Sequence, residues 1–243
     1  MKRVYADLHL CPDIGGREQI SRIMAKASRL GYGLVAVPFP KFSEEQIRQT
    51  REICREAGVD FASRVNFRSR TPEELLASLR KLRRRFEVIA VTCESKGVAR
   101  QAAKDRRVDL LNFPQPDFRR AFFDAAEAEL ASNCLASLEI DMKPLLTQAG
   151  PARTRLLSNL RREVATAKEF HVPIVISSGV SDELLMRKPK DMAALASLCD
   201  LNGVHALEAV SKNPVAIVKR NREKLGPKFV APGIRVIRRG KDC

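Results

Sequence analysis

The sequence contains few aromatic residues, with no Trp, 2 Tyr and 11 Phe among its 243 residues. Most of the Phe residues lie in apolar runs, such as Phe122-Phe123, where we expect them in the core. Proteins that bind single-stranded nucleic acid by stacking on successive bases need exposed rings. If this chain binds a nucleic acid, its composition favours contact with the phosphate backbone of a folded molecule over the reading of bases.

The chain has only 3 histidines, and its 6 cysteines form no C-x-x-C pair. Disulfide frameworks and zinc knuckles need closely spaced cysteines, so we expect reduced thiols, as in a cytosolic protein. No apolar run is long enough to cross a bilayer, and the first residues, MKRVYADLH, lack the apolar stretch of a signal peptide. The sequence therefore predicts a cytoplasmic protein with no membrane partner.

Short apolar runs alternate with segments of helical periodicity along the chain. No Pro/Gly/Ser-rich linker divides residues 1–243, which we expect to form a single domain with a short basic C-terminal tail. Near-continuous apolar runs are typical of parallel strands that are buried on both faces. Eight strand–helix alternations predict an α/β fold, a closed or distorted (β/α) TIM-like barrel, with a doubly wound open sheet as the alternative. The predicted strands are 3–9, 34–39, 59–67, 87–93, 108–113, 135–140, 172–178 and 204–210.

Positive charge is the strongest signal in the composition, since 44 Lys and Arg against 29 Asp and Glu give a net charge of +15. The excess lies in segments 68–107 and 212–241, which hold 12 and 10 basic residues against 5 and 1 acidic ones. Two concentrated basic segments indicate a polyanionic partner, although charge that only keeps the chain in solution is the alternative. The predicted contacts to RNA or a partner are Arg80, Lys81, Arg84, Arg85, Lys219, Arg220, Arg222, Lys224, Arg238 and Arg239.

A helix is predicted after Thr71, because Thr71-Pro72-Glu73-Glu74 is a capping box with proline at the first helical position. Four of the predicted contact residues, at positions 80–85, fall on the outer arc of this helix. Like charges at i, i+4 spacing repel each other, and a polyanion would relieve this repulsion. A solvated helix face is the alternative. The apolar stripe that should face the sheet consists of Leu75, Leu79, Leu82 and Phe86.

Functional side chains of such barrels lie at the C-terminal ends of the strands. Asp7 and His9 share one face at the end of the first predicted strand. A binuclear metal hydrolase needs several converging imidazoles and carboxylates. His171 precedes a predicted strand and His205 lies near the start of another, so neither lies at the C-terminal end where it could join such a site. We interpret Asp7 and His9 as a hydrogen-bonded pair, and we predict neither a catalytic residue nor a bound metal. The alternative set of metal ligands is Asp7, His9, Glu94 and Glu139.

The stretch Asp7-Leu8-His9 resembles the opening of the Asp-x-His-x-His motif of PHP-type (polymerase and histidinol phosphatase) barrels. Cys11 occupies the position of the second histidine, and the later histidine motifs of that superfamily have no counterpart in this sequence. The resemblance implies a PHP-like barrel whose set of metal ligands is incomplete.

A set of motifs that spans nearly the whole chain is similar to the ribonuclease P protein component 3 family of archaea, homologues of the eukaryotic thirty-kilodalton subunit. Each motif is weak alone, but their order along the eight strand–helix units is specific. They are Tyr5-Ala6-Asp7-Leu8-His9, Leu138-Glu139-Ile140-Asp141 with Pro144-Leu145-Leu146, Ile176-Ser177-Ser178-Gly179, Arg187-Lys188-Pro189-Lys190-Asp191 and Ala209-Val210-Ser211-Lys212-Asn213-Pro214.

The resemblance implies a subunit of ribonuclease P, an endoribonuclease in which RNA and its Mg²⁺ ions remove the 5′ leader of precursor tRNA. The chain itself would bind no cofactor and would contact RNase P RNA, precursor tRNA and other protein subunits, especially a Pop5-type one. The alternative function is a metal-dependent PHP-type phosphoesterase that acts alone.

Overall fold

The computed structural model describes residues 3–114, 123–231 and 234–237, and in this part of the chain seven parallel strands form a barrel. The strands are hydrogen-bonded in chain order, so each one pairs with the strand that precedes it in the sequence. This confirms the predicted α/β TIM-like barrel. The strands are β1 (Ala6–Asp7), β2 (Leu34–Pro38), β3 (Asp60–Phe67), β4 (Val88–Thr92), β5 (Leu110–Asn112), β6 (Ser137–Asp141) and β7 (Ile174–Ser177).

Ten α-helices follow and flank these strands in the described residues. The side chains of Ser43 and of the predicted cap Thr71 accept hydrogen bonds from the backbone N–H groups of Gln46 and Glu74, which satisfies otherwise unpaired donors. The helices are α1 (Arg17–Leu30), α2 (Glu44–Glu56), α3 (Pro72–Leu82), α4 (Lys96–Lys104), α5 (Ala125–Ser132), α6 (Lys143–Thr147), α7 (Gly150–Glu169), α8 (Pro189–Ala196), α9 (Gly203–Ala209) and α10 (Lys212–Leu225).

The eighth predicted strand is wrong, because residues 204–210 lie in helix α9 and its end. The valines at positions 204 and 210 suggested a strand, but the residues between them are dominated by strong helix formers. Ala206 and Ala209, three residues apart, form the buried face of the helix, whereas Val204 is exposed. Helical periodicity with alanine on the buried face therefore overrides the two β-branched residues.

The seam between β7 and β1 is closed without an eighth strand. Residues just after the two strands form a parallel bridge between Leu10 and Val180. The N–H of Gly179 donates to the carbonyl of His9 (2.9 Å), and the N–H of Ala6 donates to the carbonyl of Val210 (2.9 Å). The end of α9 thus satisfies a backbone group that an eighth strand would have paired.

Helix α10 lies across the N-terminal end of the barrel. Its buried residues Ile217 and Val218 pack against interior side chains of the strands, including Ala36 and Val88. We call this N-terminal end of the strands the floor, and we call the opposite, C-terminal end the mouth. A short antiparallel hairpin, β8 (Phe229–Ala231) and β9 (Ile234–Arg235), follows α10 and contacts it. No helix in the described residues is long and apolar enough to span a membrane.

Candidate functional site

The mouth of the barrel contains a network of polar side chains that come from the ends of five strands. Arg64 and Asn66 lie on β3, Asn112 on β5, and Glu139 and Asp141 on β6. Asp7 at the end of β1, His9 just after it, Ser177 on β7 and the following Ser178 complete the network. The strand ends therefore converge as parallel strands of a barrel require.

The guanidinium of Arg64 lies at the centre of this network and is fully buried. It donates to both carboxylate oxygens of Glu139, at 2.6 Å each. It also donates to the carbonyl of Leu8 (2.7 Å) and, through Nε, to Oδ1 of Asn66 (2.6 Å). A buried ion pair of this kind is tolerated because the geometry is bidentate and the remaining donors are hydrogen-bonded.

Both ring nitrogens of His9 are engaged. Nδ1 lies 2.9 and 3.0 Å from the two carboxylate oxygens of Asp141, and Nε2 lies 2.9 Å from Nδ2 of Asn66. Because Arg64 can only donate, it fixes Oδ1 of Asn66 on its own side and directs the Asn66 amide group to His9. The arrangement therefore corresponds to a neutral imidazole that carries its proton on Nδ1 and accepts on Nε2.

The charge on His9 depends on opposing effects. Burial and the positive charge of Arg64 lower its pKa, but the charge of Asp141 and the hydrogen bond to it outweigh them and raise the pKa to about 10. Protonation would place the N–H of Nε2 against the amide of Asn66, so the imidazolium requires Asn66 to turn and to lose its bond with Arg64. The raised pKa favours the imidazolium at neutral pH, whereas the hydrogen bonds as placed require a lone pair on Nε2, so Asn66 turns when His9 is protonated. In either form, neither ring nitrogen is free for another ligand.

Asp7 joins the two sides of the seam beneath the mouth. Its Oδ1 accepts from the backbone N–H groups of His9 and Ser178, at 3.1 Å each, while Oδ2 is buried without a partner in the described residues. Burial raises the pKa of Asp7, against the hydrogen bonds of Ser178 and His9, which lower it. Burial therefore favours the neutral acid at this position.

The mouth does not fit a divalent metal, although His9, Glu139 and Asp141 each place a potential ligand atom within 4.8 Å of the others. The guanidinium of Arg64 already occupies the face of Glu139 that would bind a cation. Asn112 donates to Asp141 (2.9 Å), and Ser177 donates to Glu139 (2.7 Å). The positive charge that the carboxylates need is therefore supplied by an arginine.

The alternative ligand set predicted from the sequence does not come together as a unit. Of its four members, His9 and Glu139 belong to the cluster described above, and Asp7 lies beside it with its own backbone partners. Glu94 lies on the surface, where it pairs with Arg68 at 3.0 Å. In the structure the third member of the cluster is Asp141 and not Glu94, and Asp141 was absent from the predicted ligand set.

A cavity of about 290 Å³ opens beside the network at the mouth. Its polar lining includes His9, Asn112 and Asp141, and its apolar lining includes Phe113 and Leu156. His9, Asn112 and Asp141 are already hydrogen-bonded within the network, so none of these three side chains is placed as an activated nucleophile.

The first group of predicted contact residues lies near the floor, with one change from the predicted helix. Helix α3 ends at Leu82, so Arg84 and Arg85 lie in the turn after it. Arg80, Lys81, Arg84 and Arg85 are all exposed, and the guanidinium of Arg85 lies 4.9 Å from the ring centroid of Phe42. These four side chains are therefore exposed, as the apolar stripe predicts, although the helix is shorter than predicted.

The second group of predicted contact residues contains both exposed side chains and side chains that are bonded within the protein. Lys219 is exposed on α10, whereas Arg222 bonds to Asp60 (2.6 and 3.0 Å) and to Glu87 (2.6 Å). Arg220 bonds to Asp109 at 2.8 Å, and Lys224 is partly buried nearby. The predicted contacts Arg238 and Arg239 lie outside the described residues.

The chain is similar to known proteins along nearly its whole length. The family model described as RNase P subunit p30 matches residues 4–225. The chain belongs to this family. A Ribonuclease P protein component 3 from Methanosarcina barkeri is 32% identical over 238 residues, covering 96% of this chain and 95% of that protein. The protein of the same name from Methanosarcina acetivorans is 34% identical over 171 residues, or 70% of each chain.

Solved structures agree with the barrel of this RNase P subunit p30 family member. A chain in a cryo-EM structure of archaeal Ribonuclease P with mature tRNA matches with a TM-score of 0.84 and 22% identity, covering 98% of this chain and 100% of that one. A putative prolidase from Bifidobacterium longum matches with a TM-score of 0.56 and 10% identity, covering 91% and 70%. Because these identities are low, the likenesses concern the fold.

Proposed function

We propose that this chain is a cytoplasmic protein subunit of ribonuclease P that supports the RNA-catalysed removal of the 5′ leader from precursor tRNA. The observation that carries the proposal is the family match over residues 4–225, together with relatives named as ribonuclease P components. In this proposal the chemistry belongs to the RNA and its Mg²⁺ ions, and the chain binds neither a metal nor a cofactor.

The state of the mouth supports a role in binding and not in chemistry. Metal-assisted hydrolysis needs an open coordination position and a water that the metal can activate. Here His9 bonds to Asp141, and Asn112 donates to the same carboxylate. Arg64 bonds to Glu139 and supplies the central positive charge. The alternative of a phosphoesterase that acts alone would require His9, Glu139 and Asp141 to exchange these bonds for a metal ion.

The exposed cations near the floor are the proposed RNA contacts. Backbone phosphates are bound by lysine and arginine side chains without any need for base stacking. Arg80, Lys81, Arg84 and Lys219 make no ion pair with another described residue, so their charge is available to a partner. We propose these four residues, with Arg85, Arg220 and Lys224, as contacts to RNase P RNA or precursor tRNA. Arg222 is better explained by its internal ion pairs.

The chain is also proposed to contact other protein subunits of the enzyme. The numbered name of its relatives, component 3, implies further protein components. The resemblance noted in the sequence implies a Pop5-type subunit among them.

Reconstitution tests this function directly. RNase P RNA and the remaining protein components of Methanosarcina barkeri are combined with or without this chain, and cleavage of a precursor tRNA is measured over a range of Mg²⁺ concentrations. We expect the chain to lower the Mg²⁺ concentration that half-maximal cleavage requires. The proposal is wrong if cleavage is the same with and without the chain while the barkeri component 3 protein stimulates it.

The purified chain alone should neither hydrolyse phosphoesters nor contain a stoichiometric transition metal. Elemental analysis and a phosphodiester assay check this. One zinc, iron or manganese ion per chain, with hydrolysis that depends on it, would support the phosphoesterase alternative instead.

A further inference from the structure

Four cations from both basic segments come together at one place on the floor. Asp109, which is 1% exposed and precedes β5, accepts from Arg83 (2.9 Å) and from Arg220 (2.8 Å). Lys224 on α10 and Arg106 in the loop after α4 lie close enough for their charges to act on each other. We call Arg83, Arg106, Arg220 and Lys224 the floor cluster.

The positive charge of the floor cluster is not balanced. Both oxygens of Asp109 are already used, since Oδ2 also accepts from the backbone N–H of Ile89 at 2.9 Å. Arg106 and Lys224 make no ion pair with another described residue. The cluster thus places four positive charges near a single carboxylate, whose two oxygens already accept three hydrogen bonds.

The neighbouring half of the floor shows what a balanced arrangement looks like in the same molecule. There Arg222 bonds to Asp60 and Glu87, and Arg51 lies 3.9 Å from Glu87. Two cations meet two carboxylates, so this half needs no outside charge. The difference between the halves shows that the excess in the floor cluster is local and does not simply follow from a basic composition.

The pKa of Lys224 is lowered by burial as well as by the excess of positive charge around it. Burial lowers its pKa, the charges of Arg220, Arg83 and Arg106 lower it further, and Asp109 raises it. Nε of Arg220 is buried without a hydrogen-bond partner in the described residues. An amine that its neighbours repel, beside a guanidinium with an unused donor, is a site prepared for an anion.

We propose that the floor cluster binds a phosphate group of an RNA backbone, at a point where segments 68–107 and 212–241 contact the same stretch of RNA. Guanidinium groups match the tetrahedral oxygens of a phosphate in a bidentate manner, and the lysine adds a point charge. The site reads no base, in keeping with the small number of aromatic residues in the chain. This inference rests on the proposed RNA-binding function, and it adds Arg83 and Arg106 to the contacts considered above.

The test uses a pair of double variants with the same change in charge. Arg106→Gln with Lys224→Gln removes two floor-cluster charges that make no described ion pair, so both bonds to Asp109 remain. Lys41→Gln with Lys190→Gln removes two exposed charges near the mouth and serves as the control. Binding of the parent chain and both variants to the RNase P RNA of Methanosarcina barkeri is measured over a series of salt concentrations, together with thermal unfolding.

We expect the floor variant to bind RNA about tenfold or more weakly than the parent at moderate salt, with a log–log salt slope that is flatter by about one unit or more. It should unfold at the same or a higher temperature than the parent, because the substitutions remove repulsion. The control variant should keep the parent's affinity. The combination of weaker binding with undiminished stability distinguishes a binding site from a structural one.

Several results would overturn the inference. If the parent binds RNA and both double variants lose affinity equally, the effect is one of net charge and the cluster has no special role. If the floor variant keeps its RNA affinity but no longer associates with the other protein subunits, the cluster binds an acidic protein surface instead. If the parent itself does not bind RNA in the assembled enzyme, the proposed function fails, which is a separate outcome.

A second arm identifies the source of the phosphate. Thermal unfolding is repeated with inorganic phosphate as the probe. We expect weak stabilisation of the parent by phosphate and less for the floor variant. Stabilisation by phosphate that depends on the cluster, together with RNA binding that does not, would show that a free anion occupies the site and would overturn the assignment to RNA.

Discussion

The two ends of this barrel differ in how completely their charged side chains are paired. At the mouth, Arg64 is bonded to Glu139, and His9 is bonded to Asp141, so each charged group has a partner inside the protein. On the floor, Arg83 and Arg220 share Asp109, and Lys224 and Arg106 add two further positive charges nearby. A barrel normally carries its function at the mouth. Here the charged side chains at the centre of the mouth are paired with one another, and the cluster with an excess of positive charge lies at the other end.

This contrast shows how the same residue types can serve structure or binding. A buried polar network that satisfies itself holds strand ends in register and leaves nothing for a ligand. Charges that repel one another at a surface lower the stability of the free protein. A bound polyanion removes this repulsion and so stabilises the protein.

The largest effect is expected from Arg64. Arg64→Met leaves the carboxylate of Glu139 buried without its partner, which should lower the free energy of unfolding by about 3–5 kcal/mol. Urea unfolding measures the loss. The double variant Arg64→Met with Glu139→Met removes both charges and should recover a large part of it. A single variant that is as stable as the parent would show that the ion pair does not organise the mouth.

His9 should matter more for folding than for RNA binding. His9→Ala leaves Asp141 and Asn66 without a partner, at a cost on the order of 1–3 kcal/mol. His205→Ala is the control because the His205 side chain is 71% exposed. If His9→Ala unfolds like the parent but abolishes the activity of the reconstituted enzyme, the mouth has a functional role that this account does not assign to it.

The exposed cations at the end of α3 should show the reverse pattern. Changing Arg80, Lys81, Arg84 and Arg85 to glutamine should flatten the salt dependence of RNA binding by about one unit of log–log slope per lost phosphate contact. Stability should fall by no more than about 0.5–1 kcal/mol, from the lost contact of Arg85 with Phe42. Unchanged affinity and salt slope in the assembled enzyme would mean that these residues only face solvent.

The smallest effect is a dependence of stability on pH at Asp7. Its pKa is raised in the folded protein, so its favourable contribution is complete below the ordinary value of 3.8 and is lost as pH rises through the folded pKa. Asp7→Asn cannot ionise, so its stability relative to the parent should improve between pH 3 and pH 7. Thermal unfolding across this range measures the difference, and a difference that stays constant with pH contradicts the raised pKa.

Much of the fold could be predicted from the sequence because local signals agreed with it. Apolar runs such as 34–39 predicted the buried strands, and the capping box at Thr71 predicted the start of a helix. The segment 204–210 misled because its two valines outweighed the alanines between them. The closing of the seam depends on Val210 meeting Ala6, a contact between distant parts of the chain that no local pattern encodes.

The site was only partly predictable, for a related reason. Arg64 lies within the predicted strand 59–67 and Glu139 within 135–140, but their pairing joins residues 75 positions apart and depends on the barrel register. A cation within the apolar strand 59–67 was the available signal that a buried anion must face it. The two basic segments were evident, whereas their meeting at Asp109 follows from the path of α10 across the floor, which periodicity does not determine.

A crosslinking measurement tests the central claim most directly, that RNA meets the floor and not the mouth. A photoreactive side chain is placed at Ala216, exposed on α10, or at Ala149, exposed at the mouth before α7, and the reconstituted enzyme is irradiated. Both positions are alanines, so neither substitution removes a charge. The account predicts crosslinks to RNA from position 216 and not from position 149. Crosslinks from position 149 alone would contradict it.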